Sequence, residues 1–338
     1  NLLRAGAQLA RVAHRHAKAF ASLHRGGHHF ATERGADDIE DIANAQPIAR
    51  DLLAVDGMHP VEAFGDDVHQ AVGGDDQQPP GARQQLRIAA FEPGCIAPVQ
   101  GGGLVMALRG GIYRANVWGG DLQLLAAAPY DTAKWRFNDG KCDPQGRLWA
   151  GSMYEPRDQA LGVLYMLDPK GLHPMMGGVT TANGLAWSPD GRTAYWADTA
   201  AHQVRAFDFD PATGQLSAAR VFHQMTPKPA GWTWGSDTPY GGRPDGAAVD
   251  AEGCYWSAQY EGQRLLRLSP AGEVLAEVKT PVPCPTMPCF GGDDLRTLYI
   301  TSARQKRSAA ELVAFPLSGC VFSLRMAVPG LPVNFFVD

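Results

Sequence analysis

Four stretches of this chain repeat one pattern: NDGKCDPQGRLWAGSM (138–153), NGLAWSPDGRTAYWADT (183–199), PDGAAVDAEGCYWSAQY (244–260) and FGGDDLRTLYITSAR (290–304). Each has a glycine beside a polar residue, a short apolar strand, a turn rich in Asp, Pro and Gly, and a β-prone strand ending in small residues. A weaker copy is GCIAPVQGGGLVMALRGGIYRA (94–115). The stretches that follow also repeat. GVLYMLDPKG, QVRAFDFDPATGQL and RLLRLSPAGEVL each run an alternating strand into an Asp/Ser-Pro turn. Matching Gly140, Gly184, Gly246 and Gly291 gives a period of about 40–50 residues with four strands per unit, the signature of a β-propeller. The long interval between Gly184 and Gly246 holds an insertion at 223–243. A TIM barrel or Rossmann fold would place helices between the strands, and none is legible. From 94 to 338 there is room for five blades and part of a sixth, so a closing strand is expected from the N-terminal part.

The rest of the chain differs in composition. Residues 1–93 contain no Trp and no Tyr, whereas the whole chain has 8 Trp and 9 Tyr. A packed core rarely avoids these residues. Residues 2–23 read as an amphipathic helix, Arg-rich and without acidic residues, similar in pattern to a transit peptide but read as a surface or poorly folded helix. Residues 65–87, rich in Gly, Asp, Gln and Pro, read as linker.

Composition excludes several function classes. A net charge of -5 gives no global basic surface for nucleic acid. No apolar run approaches the ~20 residues of a membrane helix. Six cysteines are too sparse for a disulfide scaffold, which makes a reduced, cytoplasmic setting the expectation. The His cluster (His14, His16, His24, His28, His29) matches no metal-site spacing. Cys284 and Cys289 lack a second pair for zinc and read as buried thiols. GGGLVMALRGG precedes no helix and is not a phosphate loop. No Gly-x-Ser-x-Gly motif marks a serine hydrolase. WTWG (232–235), within the insertion, reads equally as a lid over the channel mouth or as an aromatic plug.

The chemistry sits at repeat-equivalent positions. Inner strands of a propeller line its axis, so Asn138-Asp139, Asn183 and Asp245, each directly before the glycine of its repeat, are expected to converge there. Amide and carboxylate oxygens are hard donors suited to Ca²⁺ or Mg²⁺. A cation at that point polarises a carbonyl and acidifies water. Arg136, two residues before Asn138, suits an anionic or polyhydroxylated substrate.

RFNDGKCDPQGRLWAGSM, ANGLAWSPDGRTAYWADT, GRPDGAAVDAEGCYWSA and PTMPCFGGDDLRTLYITSAR resemble the senescence marker protein-30 / gluconolactonase / luciferin-regenerating-enzyme family, over about residues 90–338. The resemblance implies an all-β, six-bladed β-propeller with one divalent metal ion (Ca²⁺, Zn²⁺ or Mn²⁺) on its axis. The implied activity is hydrolysis of a sugar lactone to the aldonic acid. It implies Asn183 and Asp245 as metal ligands and Asp245 also as general base. Arg136, Asn138 and Glu155 are implied to be substrate contacts. The family's first blade opens with a Gly-Glu-Gly/Ser-Pro motif whose Glu is the remaining ligand, and residues 1–93 contain no such motif. Glu62, Asp51, Asp56, Asp66 and Glu92 are carboxylates there without that context. Residues 1–90 therefore read as an atypical segment, either a stretch translated in another frame or an unrelated, poorly ordered replacement. The first blade is accordingly expected to be atypical or missing, and residues 91–338 form the lactonase-like domain. The expected partner is a small sugar lactone, with no nucleic acid and no membrane. The alternative reading is a non-catalytic propeller that binds calcium or a small ligand at a degraded site. A protein-interaction propeller of the WD type lacks its Gly-His and Trp-Asp signatures here.

Overall fold

A computed structural model describes residues 59–63, 92–117 and 120–338. The expected helix at 2–23 and the linker at 65–87 lie outside the described residues. Among those described, the chain forms five four-stranded antiparallel sheets, each a blade of a β-propeller. The sixth blade implied by the family resemblance is not among them.

Blade I is β2 (Pro93–Pro98), β3 (Leu104–Leu108), β4 (Gly111–Ala115) and β5 (Leu122–Ala127). Blade II is β6 (Trp135–Cys142), β7 (Leu148–Tyr154), β8 (Gly162–Asp168) and β9 (Gly171–Val179). Blade III is β10 (Ala182–Trp187), β11 (Thr193–Asp198), β12 (Gln203–Phe209) and β13 (Leu216–Gln224). Blade IV is β14 (Arg243–Val249), β15 (Tyr255–Tyr260), β16 (Arg264–Leu268) and β17 (Val274–Lys279). Blade V is β18 (Pro285–Gly291), β19 (Thr297–Ser302) and β20 (Cys320–Arg325). Its fourth strand is β1 (His59–Ala63), which pairs antiparallel with β20. The expected closing strand thus does come from the N-terminal part. The single helix among the described residues, α1 (Ala309–Ala314), sits in the β19–β20 connection and is N-capped by Ser308, whose hydroxyl accepts from the Glu311 amide. No helix there is long and apolar enough to cross a membrane.

Burial explains the blade order. All six residues of β10 are buried, as are the first six of β7, whereas β13 is mostly exposed. In blades I to IV the second strand is buried along nearly its whole length between its neighbours, whereas β19 of blade V alternates half-buried and buried residues. The core therefore lies between blades. Trp149 of blade II meets Trp187 and Phe209 of blade III edge-to-face, with centroids 6.0 and 5.9 Å apart. Tyr195 and Tyr255 join blades III and IV, and Trp256 and Phe290 join IV and V.

Two buried carboxylates pin the turn after the inner strand. Asp143 accepts from Trp149 Nε1 at 2.8 Å, Arg147 Nε at 2.6 Å and the amides of Gln145 and Arg147. Asp250 repeats this with Trp256 Nε1 at 2.9 Å, Arg267 Nε at 2.8 Å and the amides of Glu252 and Cys254. Both are fully shielded from water. At this same end the last residues lace three blades together. The Leu331 amide donates to Val249 O, the Asn334 amide side chain to Cys142 O, and the Val337 amide to Gly146 O. Phe336 bonds Pro98 and Gln100 through its backbone.

All six cysteines are free thiols. Cys284 is buried as expected, but Cys289 is exposed, because its position on β18 turns it out of the blade packing.

Replacing Asp250 by Ala would leave a buried Trp Nε1–H, a guanidinium and two amides without an acceptor. The expected loss is about 3–5 kcal/mol, read by urea or thermal unfolding. A loss under about 1 kcal/mol would mean that water replaces the carboxylate.

Candidate active site

The turn-pinned end sets the register of the other end. The residue opening each first turn accepts a bond from the amide three residues on: Asp143 from Gly146, Ser188 from Gly191, Asp250 from Gly253, and likewise Val99 from Gly102 and Gly292 from Leu295. Five residues before each opener stand Asn138, Asn183, Asp245, Gly94 and Met287. Three of the five axial positions thus hold oxygen donors. The glycines matched in the sequence do not share one position. Gly140 lies two residues past its axial residue, Gly184 and Gly246 one, and Gly291 four. Bulges between Phe137 and Gly140, Asn183 and Ala186, and Pro244 and Ala247 absorb these offsets.

The axial side chains form a relay across three blades. Arg136 Nη1 donates to Asn138 Oδ1 at 2.9 Å. Asn138 Nδ2 donates to Asn183 Oδ1 at 3.0 Å and to Ala182 O at 2.7 Å. Asn183 Nδ2 donates to Thr199 Oγ1 at 2.7 Å. Thr199 Oγ1 donates to Pro244 O at 2.7 Å. The direction is fixed from its far end, since a carbonyl only accepts. The Thr199 hydroxyl spends its proton on Pro244, so it must accept from Asn183. That turns Asn183 Oδ1 toward Asn138 and the axis.

Asp139 braces the same junction. It holds φ = 52°, and its carboxylate accepts from its neighbour Gly140 at 2.8 Å and from Leu185 N of blade III at 3.2 Å. Asp245 keeps partial exposure, but the packed wall around it and the charge of Asp139 push its carboxyl up to about 8. Lys141 donates to Ala247 O at 2.8 Å, three residues along the strand from Asn138, and burial lowers its ammonium pKa. Glu155, at the end of β7, accepts from Arg109 Nη1 at 2.9 Å and lies 3.5 Å from Arg136 Nε. The structure therefore brings Arg136, Asn138, Asn183 and Glu155 into one connected set. Asp245 sits next to Pro244, where the relay ends.

The insertion contributes a wall at this end. Lys228 Nζ lies 4.9 Å from the centre of the Trp232 ring, Trp232 packs on Tyr240 at 4.9 Å, and Trp234 packs on Phe315 of blade V at 4.9 Å. His202 ties the wall to blade III. Its Nδ1 meets Ala200 O at 3.0 Å and must donate there. Its Nε2 then accepts, from Tyr240 OH at 2.6 Å and Lys228 N at 3.2 Å. Neutral His202 satisfies every partner, and burial accordingly lowers its pKa. Thr199 and His202 were not singled out by sequence, whereas Trp232 and Trp234 of the wall belong to the WTWG stretch that was. The only trace of Thr199 is the small-residue ending of its repeat, ADT.

Thr199→Val should free the Asn183 amide to rotate and lower activity at this site about tenfold with little loss of fold, read as turnover beside a melting curve. Unchanged turnover would show that the relay does not orient Asn183. For His202 the folded pKa lies below the unfolded value near 6.5. Its stabilisation is therefore present above that value and lost as pH falls below it. Acidification from 7 to 5 should loosen the wall, seen as a shift in Trp emission that His202→Gln removes; a shift surviving in that variant assigns it to another group.

The chain was compared with known proteins. Residues 69–304 match the family model described as SMP-30/Gluconolactonase/LRE-like region. The chain is 47% identical over 250 residues to 6-deoxy-6-sulfogluconolactonase of Pseudomonas putida, covering 72% of this chain and 80% of that one. It is 38% identical over 246 residues to regucalcin of Danio rerio, covering 71% and 78%. Among solved structures, the calcium-binding protein regucalcin of Agrobacterium tumefaciens superposes with a TM-score of 0.66 at 27% identity, over 73% of this chain and 80% of that one. A luciferin-regenerating enzyme gives 0.64 at 28%, over 73% and 82%. With its inner-strand donors at equivalent places in successive blades and a family match spanning more than half its length, this chain belongs to the SMP-30/gluconolactonase/LRE-like family.

Proposed function

We propose that this protein hydrolyses an aldonolactone to the aldonic acid at the axial mouth, with a divalent cation as cofactor. The observation behind this reading is the relay that presents Asn183 Oδ1 on the axis, one blade from the Asp245 carboxyl. The substrate class is that of the Pseudomonas putida relative's name.

The donor set fits a hard cation. Asn183 Oδ1 has a fixed orientation, and Asp245 is a carboxyl for which no cationic side chain lies within ion-pair distance among the described residues. Asn183 and Asp245 would hold the ion, with water completing the oxygen shell. When bound, such an ion polarises a lactone carbonyl and lowers the pKa of water.

The protein's own groups do the rest. Asp245 is mostly protonated near pH 7, with its carboxyl at about 8. Ionised as pH rises toward that value or when a cation lies beside it, it accepts the proton of the water that attacks the lactone carbonyl carbon. The ring C–O bond then breaks, and the ring oxygen leaves as the new hydroxyl. Arg136 presents its Nη2 N–H donors to the sugar hydroxyls, and Glu155 holds the Arg136 guanidinium in place. Asn138 Oδ1 can accept from a sugar hydroxyl, because both its N–H bonds are committed to Ala182 O and Asn183 Oδ1.

Acid release from D-glucono-1,5-lactone should be lost on chelation and return with Ca²⁺, Mn²⁺ or Zn²⁺. Asp245→Ala should lower kcat at least 100-fold. Calcium binding without turnover of any aldonolactone would sink the hydrolase reading and leave a binding module, the reading that regucalcin's description as a calcium-binding protein favours.

A further inference from the structure

Two arginines from adjoining blades share the carboxylate of Glu155. Arg136 lies on β6 of blade II, and Arg109 stands in the turn between β3 and β4 of blade I. Arg109 Nη1 donates to Glu155 Oε2 at 2.9 Å, while Glu155 Oε1 faces Arg136 Nε at 3.5 Å. The fork on Arg136 is therefore half made. A carboxylate on that edge of a guanidinium commonly takes two parallel bonds, one from Nε and one from Nη2. Here the second oxygen is held by Arg109. Arg136 Nη1 is spent on Phe137 O at 3.0 Å and Asn138 Oδ1 at 2.9 Å, which leaves Nη2 without an acceptor among the described residues.

Arg109 can hold that oxygen because it is itself fixed. Its Nε donates to Glu92 Oε2 at 2.7 Å, and its Nη2 donates to the same oxygen. Its Nη1 also donates to Thr132 O at 2.9 Å and Trp135 O at 3.2 Å, just ahead of Arg136 in the chain. The hydrogen bond from Arg109 is the chief cause that holds the Glu155 carboxyl below its ordinary range, and the charge of Arg136 is a smaller one. Blade IV shows the other arrangement. Arg243 lies two residues before Asp245, as Arg136 lies two before Asn138, and there Glu261 does take Nη2, at 3.2 Å. Glu261 also takes Lys228 at 2.8 Å and Arg307 at 3.3 Å. A carboxylate just past the second strand can thus reach Nη2 at this place.

Resting on the lactonase reading, we infer that Arg109 is a positioning residue for sugar binding: by holding one oxygen of Glu155 from blade I, it keeps that carboxylate off Arg136 Nη2 and leaves the donor open to a sugar hydroxyl. Without Arg109, Glu155 closes the fork on Arg136, and the sugar competes with it for Nη2.

The test follows hydrolysis of D-glucono-1,5-lactone by the full chain in the presence of Ca²⁺, together with calorimetric binding of 1,5-anhydro-D-glucitol, a ring that cannot open. Arg109→Met should raise KM about tenfold and leave kcat within about twofold, because a binding donor is lost and the attack on the carbonyl is not touched. Adding Glu155→Gln to that variant should bring KM back to within about threefold of wild type, since a neutral amide does not close the fork. A merely structural role predicts the reverse, a second loss on top of the first. An unchanged KM in Arg109→Met, or no relief from Glu155→Gln, overturns the inference. If the melting curve shows that Arg109→Met does not fold, Arg109→Lys decides by the same two outcomes, since one ammonium cannot bridge Glu92 and Glu155 as a planar fork does. If the wild-type chain opens no aldonolactone, affinity for the anhydroglucitol stands in for KM. Weaker binding in Arg109→Met that Glu155→Gln relieves keeps the role of Arg109 and removes the hydrolase. Affinity equal in all chains, or absent, removes the role of Arg109.

Discussion

The propeller depends on the buried carboxylates that clamp its turns. Asp143 and Asp250 each gather an indole N–H, a guanidinium and two amides at one end of a blade. The clamp fixes where the inner strand ends and where the second strand begins. Blades II, III and IV each carry a bulge in the same interval of the inner strand, so the residue five places back keeps an equivalent place in all three. Asn138 and Asp245 reach the axis at matching levels because the carboxylates at 143 and 250 hold the opposite end. In blade III the Ser188 hydroxyl, accepting from the Thr193 amide, plays a smaller version of the part.

At the mouth, orientation matters as much as position. An asparagine amide can present an oxygen or an NH₂ with almost the same shape. The proton on Thr199 removes that ambiguity for Asn183 by being committed to Pro244 O. The chain of donors from Arg136 to Pro244 crosses blades II, III and IV, so a shift between any two blades is felt at the axis. Asp139, bonded to the Leu185 amide, resists that shift from within the strand. Networks of this kind specify one arrangement only while every member is satisfied.

Much of this was legible in the sequence because a propeller is a repeat. The turn and strand pattern is local, and its period turns sequence register into convergence on an axis. That gave Asn138, Asn183 and Asp245 corresponding places on three inner strands without any knowledge of side-chain contacts, and it demanded a strand from the N-terminal part. What failed was the alignment of the glycines, since bulges let neighbouring strands hold their glycines one to four residues past the axial place. Cys289 was misread because a residue on an inner strand can face the channel rather than a neighbouring blade. Thr199, His202 and the Arg243–Glu261 cluster were invisible for another reason. Their partners come from other blades or from the insertion, and no periodicity announces a contact between unlike loops.

The lacing of the last residues onto blades I, II and IV ties the architecture to the order of synthesis. Pairing Phe336 with Pro98 and Gln100 joins points that are far apart in the chain, as does pairing β1 with β20. Such long-range contacts demand a large loop-closure entropy and form late. On the ribosome, each blade can zip as its own antiparallel meander while the chain is still growing. These pairings cannot form until β20 and residues 331–337 have emerged, so until then the blades wait as half-covered sheets. A pause in translation before β20 would hold the chain in that state, with edges and inter-blade faces open to other chains.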